Sequence, residues 1–462
     1  MKRLLLIIFI SIFYVANIYG QGNETVLSLN RFISSAAEND PAFQKILIER
    51  LYLKYSKDLN LPLSDIVLSV TGQYGLFVNN ENKLNKDYEG AISLSKLFPF
   101  TATEVKTAYS KTGDYGLGRG WYSSTFSVEV SQEIAKNAFG RTTRKKDSKI
   151  GIENELARHQ IIEAYEDYLA ALIKLYLEWY SAYEKLKASE IIYRDSVDLN
   201  NLVRRKRRYR IAFPEDVDKS YLERLDAREE LITWKDQFNR LKMNILSVSG
   251  LKDKSNLKPV RPVIDKIDTT REATFHVENS RTFVMLNLLE KHGVIDEKIA
   301  KDDLLPSASL FAGYNLIGDN YRFINPGHKV YFGISGDMNF GKQREKAVRR
   351  IARINIKKNR ITRISTLLTL KTNLFNLYSE LRRQGKLISL AENKLKISKK
   401  VFRAVKRNYY IGKASLNDLI IAKNQADENR YKKIYHDILF QQLIVEWKRL
   451  SDVLVKRRDL LK

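Results

Sequence analysis

The chain has 462 residues, 44% of them hydrophobic and 29% charged, with a net charge of +26 and no cysteine. The absence of cysteine excludes disulfides, thiolate metal sites, a cysteine nucleophile and a lipidated cysteine behind an export signal. The basic excess calls for an anionic partner, either nucleic acid or, outside the cytoplasm, lipid headgroups, lipopolysaccharide or an anionic cargo.

The N-terminus decides between these. Lys2 and Arg3 precede an apolar stretch from Leu4 to Ile18, and Tyr19-Gly20 leads into Gln21. About 15 apolar residues are too few for a spanning helix and fit a signal peptide over residues 1–20, cut after Gly20. The mature chain then carries 78 basic residues against 54 acidic ones, about +24. Export argues against nucleic acid. No later stretch reaches the roughly 18 apolar residues of a membrane helix, and the richest, Leu169 to Leu177, is cut by Lys174.

In chain order, Leu27 to Lys57 reads as a helix that Pro41 enters or breaks. The period then changes to two. Ile66, Leu68, Val70, Tyr74 and Leu76 alternate with Ser69, Thr71, Gln73 and Gly75, and Phe126, Val128 and Val130 alternate with Ser127, Glu129 and Ser131. From Arg141 to Arg208 the spacing becomes helical, with Tyr165, Tyr168, Leu169, Leu172, Tyr176, Trp179 and Tyr183 three and four apart. A return helix runs from about Asp218 to Val248. Pro259 and Pro262 mark a linker over 251–275.

The same text then recurs. Strand-like runs at Ala308–Leu316 and Val330–Phe340 lead into a second long helix from Lys342 to Asn408 and a second return helix from Leu416 to Leu454. Leu61-Pro62 matches Leu305-Pro306, Phe139-Gly140 matches Phe340-Gly341, and Ile211 to Asp218 matches Ile411 to Asp418, at offsets of 244, 201 and 200 residues. This is a duplication, with a first repeat over 21–250 and a second over 276–462. Helices of about 67 residues are near 100 Å long and must pack sideways against others. Strands of about ten residues cross a bilayer when tilted, and only a closed barrel satisfies their backbone there. Four such strands cannot close, so the chain must oligomerise. The first strand pair also carries an insertion over about 80–122. Because both flanking helices lie on one side, it adds an even number of crossings, and the weak alternation near Lys96 and Lys106 favours a cap over an added strand pair that would widen the barrel.

Asn39-Asp40-Pro41, both Leu-Pro entries, both Phe-Gly exits and Asn408-Tyr409-Tyr410-Ile411-Gly412 with Ser415 and Asp418-Leu419 resemble, in order and doubled spacing, the TolC-like outer-membrane efflux proteins. The resemblance covers essentially the whole mature chain. It implies an α+β membrane protein: a homotrimer sharing one β-barrel in outer-membrane lipid, continued by a periplasmic α-helical tunnel. It also implies a passive, non-enzymatic exit duct for a tripartite efflux or type I secretion system, docked through a periplasmic adaptor on an inner-membrane pump. The rival is a soluble periplasmic coiled-coil adaptor or scaffold, which would need a compact β domain beside one hairpin.

Within that resemblance Asp218, Tyr409 and Asp418 are candidates for a periplasmic aperture. The plainer role for Asp418 is a capping box with Ser415. Gly412 carries the second helix break; its counterpart is Ala212, with Pro214 setting the turn. The family's aperture arginine and second acid would fall at Ala414 and Ile421, and neither is present. Arg204, Arg205, Lys206, Arg207, Arg208 and Arg210 form either a solvated helix end or a basic ring that docks a partner or selects anions. Gly116, Gly118 and Gly120 read as a surface turn, since no Lys-Ser/Thr follows them. His159, His276, His292, His328 and His436 have no metal-ligand spacing, and no catalytic motif, cofactor site or metal box stands out.

Overall fold

The computed structural model describes residues 26–78, 84–114, 121–251, 257–264, 267, 277–319, 323 and 326–455. The signal peptide, Gly116, Gly118, Gly120 and His276 lie outside the described residues. The elements are β1 (Val26–Leu27), α1 (Leu29–Asn39), α2 (Pro41–Asn60), β2 (Ile66–Val78), β3 (Leu84–Phe98), β4 (Thr103–Asp114), β5 (Trp121–Glu133), α3 (Arg141–Arg208), α4 (Pro214–Ser249), β6 (Lys258–Pro259), α5 (Arg281–Asp302), β7 (Ser307–Asp319), β8 (Gly327–Asp337), α6 (Gln343–Tyr410) and α7 (Leu416–Leu450). Pro41 starts α2, because Asp40 is extended and closes α1. The chain divides into two compact units. One holds residues 50–159 and 282–365; the other holds the described residues up to Glu49, from Gln160 to Arg281 and from Thr366 onward.

The first unit contains a six-stranded sheet in the order β2-β3-β4-β5-β7-β8, and each strand is antiparallel to the next. The insertion is therefore not a cap. Its residues supply β3 and β4, paired over their full length with each other and with β2 and β5. The alternation holds at Lys106, which sits opposite Glu129 on the polar face, and is broken at Lys96, which lies on the apolar face two residues from the end of β3 with its ammonium 5.4 Å from the Phe98 ring centre.

The turn between β3 and β4 is held by its neighbours. Gln132 Nε2 donates to the Thr101 carbonyl at 2.7 Å, and the Thr103 hydroxyl donates to Gln132 Oε1 at 2.6 Å. Arg144 Nη1 donates to the carbonyls of Phe100 at 2.7 Å and Phe139 at 2.6 Å. The Phe100 carbonyl approaches Gly140 so closely that a Cβ there would lie 2.0 Å from it.

The same unit aligns four helical segments side by side in the order α2, α3, α5, α6. Lys57 pairs with Asp147 at 2.8 Å and Ser56 donates to Asn154 at 2.7 Å, joining α2 to α3. Lys149 pairs with Asp296 at 2.7 Å and Arg141 with Asp302 at 3.1 Å, joining α3 to α5. Glu297 receives Arg349 and Arg353 at 3.1 and 3.2 Å, and Glu290 receives Arg360 and Arg363 at 2.9 Å each, joining α5 to α6. The two outer helices keep bare apolar residues, among them Leu51 and Tyr55 on α2 and Ile354, Ile361 and Ile364 on α6.

In the second unit the core gathers Phe32, Tyr176, Leu177, Trp179, Ile245 and Val445 from α1, α3, α4 and α7. The Tyr176 hydroxyl lies 2.7 Å from the carbonyls of Leu27 and Val260, and so ties the linker, through the parallel β1–β6 bridge, to the first strand. Arg281 and Glu166 form a nearly dry ion pair at 2.9 Å.

α3 and α6 are each 68 residues long and start 202 residues apart. That register also aligns the positive-φ pairs that open them, Phe139-Gly140 with Gly341-Lys342. The offsets of 201 and 200 that the motifs suggest are thus one and two residues off.

Candidate functional site

Two places are candidates for function: the faces of the sheet and the tips of the helical hairpins. In the sheet the strand register sends Ile66, Leu68 and Val70, Leu94 and Ile92, Val128 and Phe126, and Phe332 and Ile334 to one face. Phe332 is 87% and Ile334 72% exposed. A largely apolar face of this extent, interrupted by Lys86, Lys96 and Lys111, needs an apolar medium or a partner.

The opposite face presents Ser69, Thr71, Ser93, Ser95, Ser127 and Asn315. Among the described side chains of the sheet, every acid lies on it: Asp87, Glu89, Glu104, Glu129, Glu133 and Asp337. Lys106 and Lys329 share that face, whereas Lys86, Lys96 and Lys111 lie on the apolar one. Tyr331 reaches across Gly313 to donate to Glu129 at 2.8 Å. The polar face is thus net acidic within a strongly basic chain. Both edge strands, β2 and β8, have one side unpaired.

At the tips, the two hairpin turns pack on each other. Leu199, Leu202, Val203 and Ala212 of the first repeat bury against Tyr409, Leu416 and Leu419 of the second. Each long helix ends on a residue in the left-handed conformation, Arg210 with φ 59° and Gly412 with φ 77°. The closing bonds repeat as well, Ile211 N–H to the Lys206 carbonyl and Lys413 N–H to the Asn408 carbonyl, at 2.9 and 2.8 Å. The counterpart of Gly412 is therefore Arg210. Ala212, expected to be the break, instead matches Ala414, and both pack in the tip cluster.

Pro214 is the first residue of α4, where its missing N–H costs nothing. Ser415 and Asp418 form the expected capping box: the Ser415 hydroxyl accepts from Asp418 N–H at 3.1 Å, and Asp418 accepts from Ser415 N–H at 3.0 Å. These bonds from Ser415 hold the Asp418 carboxyl below its ordinary pKa.

In the first repeat the equivalent acid is Asp216, which accepts from Phe213 N–H at 3.1 Å. Asp218 lies exposed two residues further on. The motif alignment missed Asp216, although counting three residues inward from each N-cap would have found it. Its charge helps burial raise the pKa of Tyr409. Tyr409 is 6% exposed, and its carbonyl accepts from Lys206 Nζ at 2.5 Å. The Lys206 ammonium also sits 3.9 Å from the Tyr409 ring centre, and burial lowers its pKa. Arg204, Arg205, Arg207, Arg208 and Arg210 are exposed. Tyr409, Asp216 and Lys206 are thus brought together, while Asp218 and the arginines face outward.

Among the described residues no group of three or more histidine and acidic side chains could hold a metal, and no helix is long and apolar enough to cross a membrane. No family model and no curated protein matches the chain. Its structure is similar to the outer-membrane protein VceC of Vibrio cholerae, with a TM-score of 0.70, 10% identity and coverage of 92% of this chain and 95% of that one. It is also similar to the CmeC outer-membrane channel of Campylobacter jejuni (0.71, 12%, 93% and 86%). A third such structure is the open state of the MtrE outer-membrane channel of Neisseria gonorrhoeae (0.66, 13%, 93% and 90%). In fold this chain is similar to these outer-membrane channels, and its doubled motifs resemble the TolC-like outer-membrane efflux proteins.

Proposed function

We propose that the protein is an outer-membrane exit duct, closed by three copies, that conducts cargo passively for a tripartite efflux or type I secretion system. The observation that carries this reading is the six-stranded sheet with a bare apolar face, a polar acidic face and two open edges. Six strands cannot close on themselves, because membrane barrels need at least eight. Pairing β8 of one copy with β2 of the next removes both edges, turns the apolar face to lipid and leaves the polar face around water. Three copies give about eighteen strands. The apolar residues of α2 and α6 then meet across the same boundaries.

The paired hairpin tips form the periplasmic aperture, with Tyr409, Asp216, Asp418 and Lys206 at the closure. The exposed arginines dock a periplasmic adaptor that links the duct to an inner-membrane pump. A coiled-coil adaptor does not account for an apolar sheet face of this size. The test is fractionation of native cells followed by unheated electrophoresis: a heat-modifiable trimer in the outer membrane is expected, and a soluble periplasmic monomer refutes the duct.

A further inference from the structure

The inserted strands put charge where the duplicated ones put none. The lysines of the apolar face, Lys86, Lys96 and Lys111, all belong to β3 and β4. β2, β5 and β7 contain neither lysine nor arginine, and Lys329 of β8 lies on the polar face.

The register fixes where these lysines stand along the strands. Helices adjoin the sheet at the Ile66, Glu133, Ser307 and Asp337 ends of β2, β5, β7 and β8. Lys96 pairs with Ile66 and so stands at that end, whereas Lys86 pairs with Leu76 near the other. The two share one strand and one face, ten residues apart. At about 3.3 Å per residue and a tilt near 40°, they are separated by about 25 Å along the barrel axis, which is also the height of the apolar band of an outer-membrane barrel. If that face meets lipid, as the duct proposed above requires, Lys96 marks the periplasmic border of the hydrocarbon and Lys86 the outer one.

The two borders differ in what surrounds the lysine. At the inner border the Lys96 ammonium lies over the ring of Phe98. At the outer border Lys86 is exposed, and among the described side chains of the sheet no acid shares its face. Tyr88 follows Lys86 on that face; it pairs with Tyr74, which is 62% exposed, and its ring lies across Gly113. Lys111 is the diagonal neighbour of Tyr88 on β4, so the tyrosine stands between two lysines. The Lys111 ammonium is enclosed, beside a face that Phe323 covers by packing against Gly318 and Tyr109. That cover keeps the charge out of hydrocarbon.

We infer that Lys86, Tyr88, Tyr74 and Lys111 form a binding site on the outside of the barrel for a phosphorylated glycolipid of the outer leaflet. Lysine supplies the charge that a sugar phosphate needs, and weak screening at a membrane border strengthens the attraction. Tyrosine supplies a flat apolar ring for the sugar and a hydroxyl at headgroup level. The inner border, with Lys96 and a phenylalanine, lacks the hydroxyls. The inserted hairpin is thereby the part of the wall that holds lipid.

The test titrates purified trimer in detergent with fluorescent bisphosphorylated lipid A, with the same glycolipid stripped of its phosphates, and with phosphatidylglycerol as competitor. The phosphorylated form should bind about tenfold more tightly than the stripped one, the size expected of one or two charge-assisted contacts. Lys86→Ser/Lys111→Ser should abolish that preference, whereas Lys86→Arg/Lys111→Arg and Lys96→Ser should keep it. Lys86→Ser alone should reduce the preference at least about threefold, and it decides the matter if the buried Lys111→Ser prevents assembly. Equal binding of the two glycolipids, or a wild-type preference in Lys86→Ser, overturns the site. Competition by phosphatidylglycerol as strong as that of unlabelled lipid A reduces it to an unselective basic rim and overturns the glycolipid. A trimer that does not discriminate leaves the duct standing; a protein that forms no trimer in the outer-membrane fraction overturns the duct and this site with it.

Discussion

Arg210 holds a conformation in which glycine is preferred, at φ 59°, whereas the equivalent turn of the second repeat uses Gly412 at φ 77°. A side chain in this region costs about 1–2 kcal/mol, partly offset in Arg210→Gly by the greater freedom of an unfolded glycine. Arg210→Gly should therefore be neutral or stabilising by up to about 1 kcal/mol, and Gly412→Val destabilising by about 1–2 kcal/mol. Gly140→Ala is worse than either, because its Cβ meets the Phe100 carbonyl as well as a φ of 75°. Denaturant unfolding of the three variants gives the order, and an unaffected Gly140→Ala would show that the inserted turn is free of α3. The motifs Phe139-Gly140 and Ile411-Gly412 were legible in the sequence. Which residue of each break is left-handed was not, because Arg210 tolerates that conformation only where the surrounding turn imposes it.

At the scale of elements, α5 and α6 are clamped by Glu297 between Arg349 and Arg353 and by Glu290 between Arg360 and Arg363. Arginine hydrogen bonds lower both carboxyl pKa values in the folded state. A depressed carboxyl stabilises the fold above its unfolded pKa of about 4.3 and loses that contribution as the pH falls through the depressed value. Stability should therefore be level from pH 7 to about 5 and fall below about 4.3, and the Glu290→Gln/Glu297→Gln double variant should show a shallower fall. At neutral pH the double variant should lose about 1–2 kcal/mol, given that exposed pairs are worth little and two-arginine clamps somewhat more. Melting temperatures across this range check both points, and parallel curves for the two proteins would remove the clamp from the account.

The helices were readable from their period, and boundaries from Pro41 and Ser415, whereas α4 begins at Pro214, four residues before the Asp218 that the sequence suggests. The inserted strands were readable too, but Lys96 and Lys106 obscured them. Only pairing with β2 and β5 assigns each lysine to a face.

Over the whole molecule, the two units carry opposite charge distributions. The polar face of the sheet is acidic, and the first hairpin tip exposes Arg204, Arg205, Arg207, Arg208 and Arg210. Rings of fixed charge at a narrow point dominate the selectivity of a pore, so the tip outweighs the broader barrel when it limits the current. The triple variant Arg204→Glu, Arg207→Glu, Arg208→Glu should shift the reversal potential of single channels in a salt gradient toward cation preference. Unchanged reversal potentials would remove the arginines from the conduction path and leave them as a docking surface.

What the amino-acid order determined by itself is the repeat, the alternation of strand and helix periods and the even number of strands that the insertion can add. These are local or additive properties of a chain whose side chains project every two or every 3.6 residues. What only the tertiary structure decided is the pairing: that β3 and β4 join the sheet as staves, that Asp216 rather than Asp218 matches Asp418, and that the repeats align at 202 residues. Each of these depends on hydrogen bonds between segments distant in sequence. Local pattern leaves such bonds open, because a strand's alternation names its two faces but not its neighbours.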